Sequence, residues 1–116
     1  MKTHHDLDVW KKSILLVTVI YKITESFPKS ELYGLSNQIR RCAVSIPSNI
    51  AEGAARTSTK KISRFLAISL GSIAELETQL IISKNLTYLS EIEFDKLISE
   101  LIIIRKMTIG LKKSIS

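Results

Sequence analysis

Glycine and proline are scarce in this chain, four and two among 116 residues. An all-β fold with many tight turns needs more of both, so it is excluded. A single cysteine, Cys42, rules out an intramolecular disulfide and fits a reducing cytoplasm. Aromatics make up only 6% of residues; Leu, Ile and Ala carry most of the 45% hydrophobic share, which suits helix packing. No secretory start is visible, because His4, His5, Asp6 and Asp8 precede any apolar run. The longest unbroken apolar runs, such as Ile14 to Val17 and Leu101 to Ile104, are too short to cross a membrane. The expectation is a soluble, cytoplasmic protein with no membrane partner. At this length it is one domain over residues 1–116, with 1–6 a flexible polar start.

Catalytic signatures are missing as well. The glycines, at 34, 53, 71 and 110, are too scattered for a phosphate-cradling loop. No Glu-x-x-His pair exists to hold a di-iron centre in a bundle. His4 and His5 are the only histidines, and a frayed start is a better account of them than a metal site. A serine or cysteine nucleophile would therefore lack a histidine base in the ordered part of the chain. Glu75 and Glu77, two apart, point to different sides of a helix and cannot act as a carboxylate pair. Known DNA-reading and RNA-reading modules are absent too. The expectation is a non-enzyme without cofactor or metal.

What is present centres on Gln38 to Gly53, QIRRCAVSIPSNIAEG. Leu35, Ile39, Cys42, Ile46 and Ile50 recur at helical spacing. Gln38, Arg41, Ser45, Asn49, Glu52 and Arg56 keep the same rhythm on another face. Both stripes pass through Pro47 in phase. That favours one helix kinked at the proline over two helices with Ser48 as a new cap. The carbonyl of Ala43, freed by the proline, needs water or a hydroxyl such as Ser48. Cys42 sits on the apolar stripe and reads as a small core residue.

The flanking segments read as long helices. A first runs from about Asp8 to Ser26, with Trp10, Ile14, Val17 and Tyr21 in one apolar row. Leu16, Ile20, Ile23 and Phe27 form a second row, and Leu15 and Val19 widen the arc. So wide an arc exceeds what one bundle neighbour hides, which points to burial between subunits. Ser30 is the expected cap of the second helix, which ends between Gly53 and Arg56. A third runs from about Lys60 to Tyr88, its small residues Gly71, Ser72 and Ala74 admitting a close neighbour. Ser90 and Glu93 form a capping box that opens a fourth, from Glu91 to about Lys113. Four such helices with short connections make an all-α, antiparallel up-and-down four-helix bundle.

Charge is segregated along this pattern. The net charge is +6. From Gln38 to Arg64, Glu52 alone opposes Arg40, Arg41, Arg56, Lys60, Lys61 and Arg64. The tail carries Arg105, Lys106, Lys112 and Lys113 without an acid, while the stretch between is acidic on balance. A basic surface of this kind suits a polyanion; the bland alternative is a solvated basic face.

Three segments carry a family resemblance: DVWKKS at Asp8 to Ser13, YGLSNQIRRCAVSIPSNIAEG at Tyr33 to Gly53, and FLAISLGSIAELETQL at Phe65 to Leu80. Together they resemble the 23S rRNA intervening-sequence protein family of small bacterial four-helix bundles. The resemblance implies a homopentamer. It also implies kinship with the accessory protein of diversity-generating retroelements, a basic pentamer that binds nucleic acid and a reverse transcriptase. It implies no catalytic residues. The chain departs from the pattern at Cys42, where alanine is more typical, and at Lys60-Lys61, where an acid is common. The second departure makes that corner more basic.

Two functions remain open on the sequence. One is an oligomeric adaptor that binds RNA or a ribonucleoprotein through Arg40, Arg41, Arg56, Lys60, Lys61 and Arg64. The other is a structural or protein-interaction scaffold in which these arginines serve internal contacts, Arg41 pairing with Glu52 or an acid of the third helix.

Overall fold

The computed structural model describes residues 3–115. Four helices account for most of it: α1 (Asp8–Thr24), α2 (Leu35–Ala54), α3 (Thr59–Asn85) and α4 (Glu91–Ile115). Among the described residues there is no strand. Each helix packs on its sequence neighbours and α1 closes on α4, which is the up-and-down order expected of short connections. The bundle measures 43 × 25 × 20 Å.

The apolar stripes meet in one core. Ile39, Cys42, Ile46 and Ile50 of α2 are buried with Leu16 and Ile20 of α1. Leu66, Ile73, Leu76 and Leu80 of α3 and Leu97, Leu101 and Ile104 of α4 complete it. α2 is a single helix through Pro47, with both stripes in phase. The hydroxyl reaching a helix carbonyl beside the proline is that of Ser69, which donates to Ile46 O at 3.1 Å. Ser48, expected to satisfy the Ala43 carbonyl, is exposed and has no side-chain hydrogen bond among the described residues.

Local chemistry sets the helix ends. Ser58 Oγ accepts from the Lys61 amide at 3.2 Å and starts α3. The Ser90–Glu93 capping box is present in both directions, at 3.0 and 3.1 Å. α3 stops at Asn85, earlier than its apolar pattern suggests. Thr87 turns left-handed at φ 64°, and the amides of Thr87 and Tyr88 return to the carbonyls of Lys84 and Ser83. This is a Schellman closure with threonine where glycine is usual.

Ser30 does not cap α2. It lies in a 3-10 turn, Lys29–Glu31, and Gly34 occupies the cap position. Glu31 does the capping with its side chain: Oε1 accepts from the Leu35 amide at 3.3 Å, and Oε2 accepts from the Tyr88 hydroxyl at 3.0 Å. That bond to a carboxylate holds the Tyr88 phenol above its ordinary pKa. A carboxylate reaching back from the turn and a tyrosine on another helix are invisible to a local cap rule.

Of the small residues expected to admit a close neighbour, Ser72 does meet α2, through hydrogen bonds to Cys42 and Ser45, but a second close approach lies at Gly53. Gly71 has open space around its Cα. At Gly53, a Cβ would stand 3.2 Å from Phe65 Cβ and 3.4 Å from Ile62 O. Glycine costs α2 helix propensity there and admits α3 in exchange.

Of the start expected to be flexible, Met1 and Lys2 lie outside the described residues. His4–Asp6 form a 3-10 turn capped by Thr3, and both imidazoles meet the Trp10 ring edge-on, at 4.9 and 5.1 Å. α3 is long and apolar enough by length and composition to cross a membrane, with a mean hydropathy of 1.5, although no unbroken apolar run shows it. In the fold it lies between α2 and α4, with Leu66, Ile73, Leu76 and Leu80 in the core.

Candidate nucleic-acid interface

The up-and-down topology brings three chain segments to one end of the bundle: the start of α1, the α2–α3 turn and the last turns of α4. Leu7, Ala54, Ile62, Leu111 and Ile115 line one small cavity there and fix the arrangement. Two basic stretches far apart in sequence thereby become neighbours. One is Arg56, Lys60, Lys61 and Arg64; the other is the basic tail that includes Lys112 and Lys113. The acidic start of α4 is carried to the opposite end.

At the corner itself, Lys60, Lys61 and Arg64 are exposed. None of the three side chains has a hydrogen bond or ion pair among the described residues. Arg56 is partly engaged. Its Nη2 lies 2.7 Å from Glu52 Oε2, and its guanidinium sits 4.9 Å from the Phe65 ring centroid. An exposed pair one helical turn apart contributes only about 0.3–0.5 kcal/mol, so a phosphate could displace it.

Arg40 and Arg41 are not part of this corner. Thirteen residues of helix, about 20 Å of rise, separate Arg41 from Ala54 at the end of α2, and Arg56 lies beyond that end. Arg40 is spent inside the fold. Its Nε donates to Thr24 Oγ1 at 2.8 Å, its Nη2 donates to Tyr21 O at 3.2 Å, and its guanidinium covers the Tyr21 ring at 4.7 Å. The cation sits over the carbonyl end of α1, where the helix dipole favours it.

Arg41 is exposed and makes no ion pair with Glu52 or with an α3 acid. It lines a cleft of about 390 Å³ between α2 and α3 with Asn37, Gln38, Cys42, Ser45 and Glu75. The polar stripe of α2 thus flanks α3. The Ser45 and Ser72 hydroxyls are hydrogen-bonded across the seam, and Asn49 Nδ2 donates to Ser45 O at 2.7 Å. The Cys42 thiol donates to Ser72 O at 3.1 Å and to Glu75 Oε2 at 3.4 Å. Burial first, and the neighbouring Glu75 carboxylate second, push this thiol up to about 12. It is inert at neutral pH, as a core cysteine should be. The scaffold alternative, with Arg41 pairing with an acid of the third helix, leaves Glu75 and Glu77 as candidates, and the structure sets Glu75 in the cleft without an ion pair to Arg41. Spacing along the chain does not report which of the two acids shares the cleft with Arg41.

Among the described residues, no three of His, Cys, Asp and Glu come together as metal ligands would. Fold and surface together define an all-α four-helix bundle with unpaired cations at one end. The chain belongs to the 23S rRNA-intervening sequence protein family, whose model matches residues 5–110. No curated protein matches it in sequence.

Proposed function

We propose that this protein is a non-enzymatic, oligomeric adaptor that binds RNA or a ribonucleoprotein through the basic end of its bundle. The observation that carries the reading is the convergence of two basic chain segments on one end, with Lys60, Lys61 and Arg64 left unpaired. Oligomerisation multiplies this corner, so several weak phosphate contacts act together. Arg56 contributes once Glu52 is displaced, Arg40 serves the fold, and Arg41 stands apart from the corner.

Assembly is supported by α1. Leu15 and Val19 are 66% and 43% exposed, and Ile14 and Tyr21 stand out beside them. The family resemblance implies a homopentamer and, through kinship with retroelement accessory proteins, a reverse transcriptase as candidate partner; the single cysteine fits a cytoplasmic setting. The same apolar face is the observation behind the second reading, a scaffold whose contacts are with protein alone.

Filter binding to mixed-sequence RNA across a salt series separates the two. Wild type should bind at low salt and weaken steeply as salt rises, because each neutralised phosphate releases counterions. Replacing Lys60, Lys61 and Arg64 together by glutamine should weaken binding to all sequences alike and flatten the slope. An absence of wild-type binding at low salt would leave the scaffold.

A further inference from the structure

The cleft between α2 and α3 holds opposite charges that do not pair. Arg41 from α2 and Glu75 from α3 line the same space, yet no ion pair joins them. Of the Glu75 carboxylate, Oε2 accepts only the Cys42 thiol, at 3.4 Å, and Oε1 has no partner among the described residues. Asn37 and Gln38 bring two primary amides to the rim, neither with a side-chain hydrogen bond among the described residues. A cation fork, a carboxylate oxygen and two amides therefore face one solvent-open cleft of about 390 Å³, unpaired with one another.

We propose that this cleft takes the exposed edge of an unpaired guanine base in RNA, Arg41 and Glu75 reading its two faces of opposite polarity. Guanine presents two adjacent acceptors, O6 and N7, and beside them two donors, the N1 hydrogen and the 2-amino group. An arginine fork matches the acceptor pair, the commonest specific base contact. A carboxylate matches the donors and repels adenine N1 and uracil O4, which offer lone pairs. The donor edge is free only in an unpaired base, the kind of RNA that proteins read by sequence.

Position agrees with this chemistry. Eleven residues of α3 separate Arg64, at the basic corner, from Glu75, about 16 Å of rise. Phosphates held at the corner would direct the same strand along the α2 polar stripe into the cleft. The inference rests on the RNA-binding reading above and adds a base preference to it.

The test measures fluorescence anisotropy of oligouridylate carrying one central guanine, adenine or inosine. Wild type should bind the guanine strand about tenfold more tightly than the adenine strand, the discrimination one good bidentate contact gives. Inosine, which lacks the 2-amino group, should fall between them. Glu75→Gln should erase the difference between the guanine and inosine strands and leave only the preference over adenine that Arg41 supplies. Equal affinities for all three strands in wild type would overturn the cleft and leave the basic end intact. If no strand binds even at low salt, the basic-end reading fails, and guanosine monophosphate then decides for the cleft. Amide resonances of Asn37, Gln38 and Arg41 that shift with guanosine monophosphate and stay still with adenosine monophosphate support it; no difference overturns it. If Glu75→Gln changes the sedimentation mass and leaves base preference untouched, Arg41 and Glu75 belong to a contact between copies, and the proposal is overturned.

Discussion

Arg40 on α2 and Thr24 in the last turn of α1 are joined by a 2.8 Å hydrogen bond from the guanidinium Nε to the threonine hydroxyl oxygen. That hydroxyl donates onward to Ile20 O at 2.7 Å, so arginine, threonine and helix end form one chain of bonds. An arginine that charge counting assigns to a polyanion is here part of the fold.

Arg40→Gln should therefore lower stability by about 1–2 kcal/mol, the range of a lost charge-assisted hydrogen bond with helix-end support. Its effect on the salt slope of RNA binding should be small. Urea unfolding at fixed protein concentration checks the first half, and filter binding the second. A variant of full stability that no longer binds RNA would return Arg40 to the interface.

Gly53 is the point where α3 presses on α2. Gly53→Leu should cost about 1–3 kcal/mol by overpacking, because Phe65 Cβ and the Ile62 carbonyl leave no room. Gly71→Leu, in open space on α3, is the matched control and should be tolerated. Equal melting temperatures for the two variants would contradict the close approach.

Thr87 holds a left-handed backbone at φ 64°. That conformation costs a non-glycine residue about 1–2 kcal/mol, and glycine's greater freedom in the unfolded chain returns part of the gain. Thr87→Gly should raise stability by about 0.5–1 kcal/mol in thermal or urea unfolding. A loss of stability would mean that the threonine side chain contributes more than the strain removes.

The exposed row on α1 should hold subunits together. Leu15→Gln combined with Val19→Gln should bring the sedimentation mass down towards the 13.1 kDa of one chain, with helical content retained. Wild type sedimenting at that mass already would remove the oligomer from the proposed function.

Cys42 supplies a pH dependence of known sign. Its thiol is raised from an ordinary value of 9.0 to about 12, so the folded protein keeps a proton that the unfolded chain has lost. The contribution is full below pH 9.0 and is lost as pH rises towards about 12. Cys42→Ala should flatten that part of the alkaline stability curve. At neutral pH the thiol should react with an alkylating reagent far more slowly than a free cysteine, and rapid labelling would show that the helix pair opens.

The four helices and the class of fold were legible in the sequence, although the cap of α2 and the end of α3 were not. Apolar residues at helical spacing across Pro47 and the Ser90–Glu93 capping box act within a turn or two of chain, where spacing and contact are the same thing. The sequence also marked α1 as wider in its apolar surface than one neighbour needs, and Leu15 and Val19 do remain uncovered in the single chain. Only the tertiary structure decided which charges are available. Arg40 is consumed by a threonine 16 residues earlier, while Arg41 is left facing a glutamate on another helix without pairing. The antiparallel order of the helices set the corner at Lys60 beside the tail of α4, which no distance along the chain foretells. Helical period fixes which face a residue occupies; only packing fixes what stands opposite that face, and the strength of a charge depends on what stands opposite it.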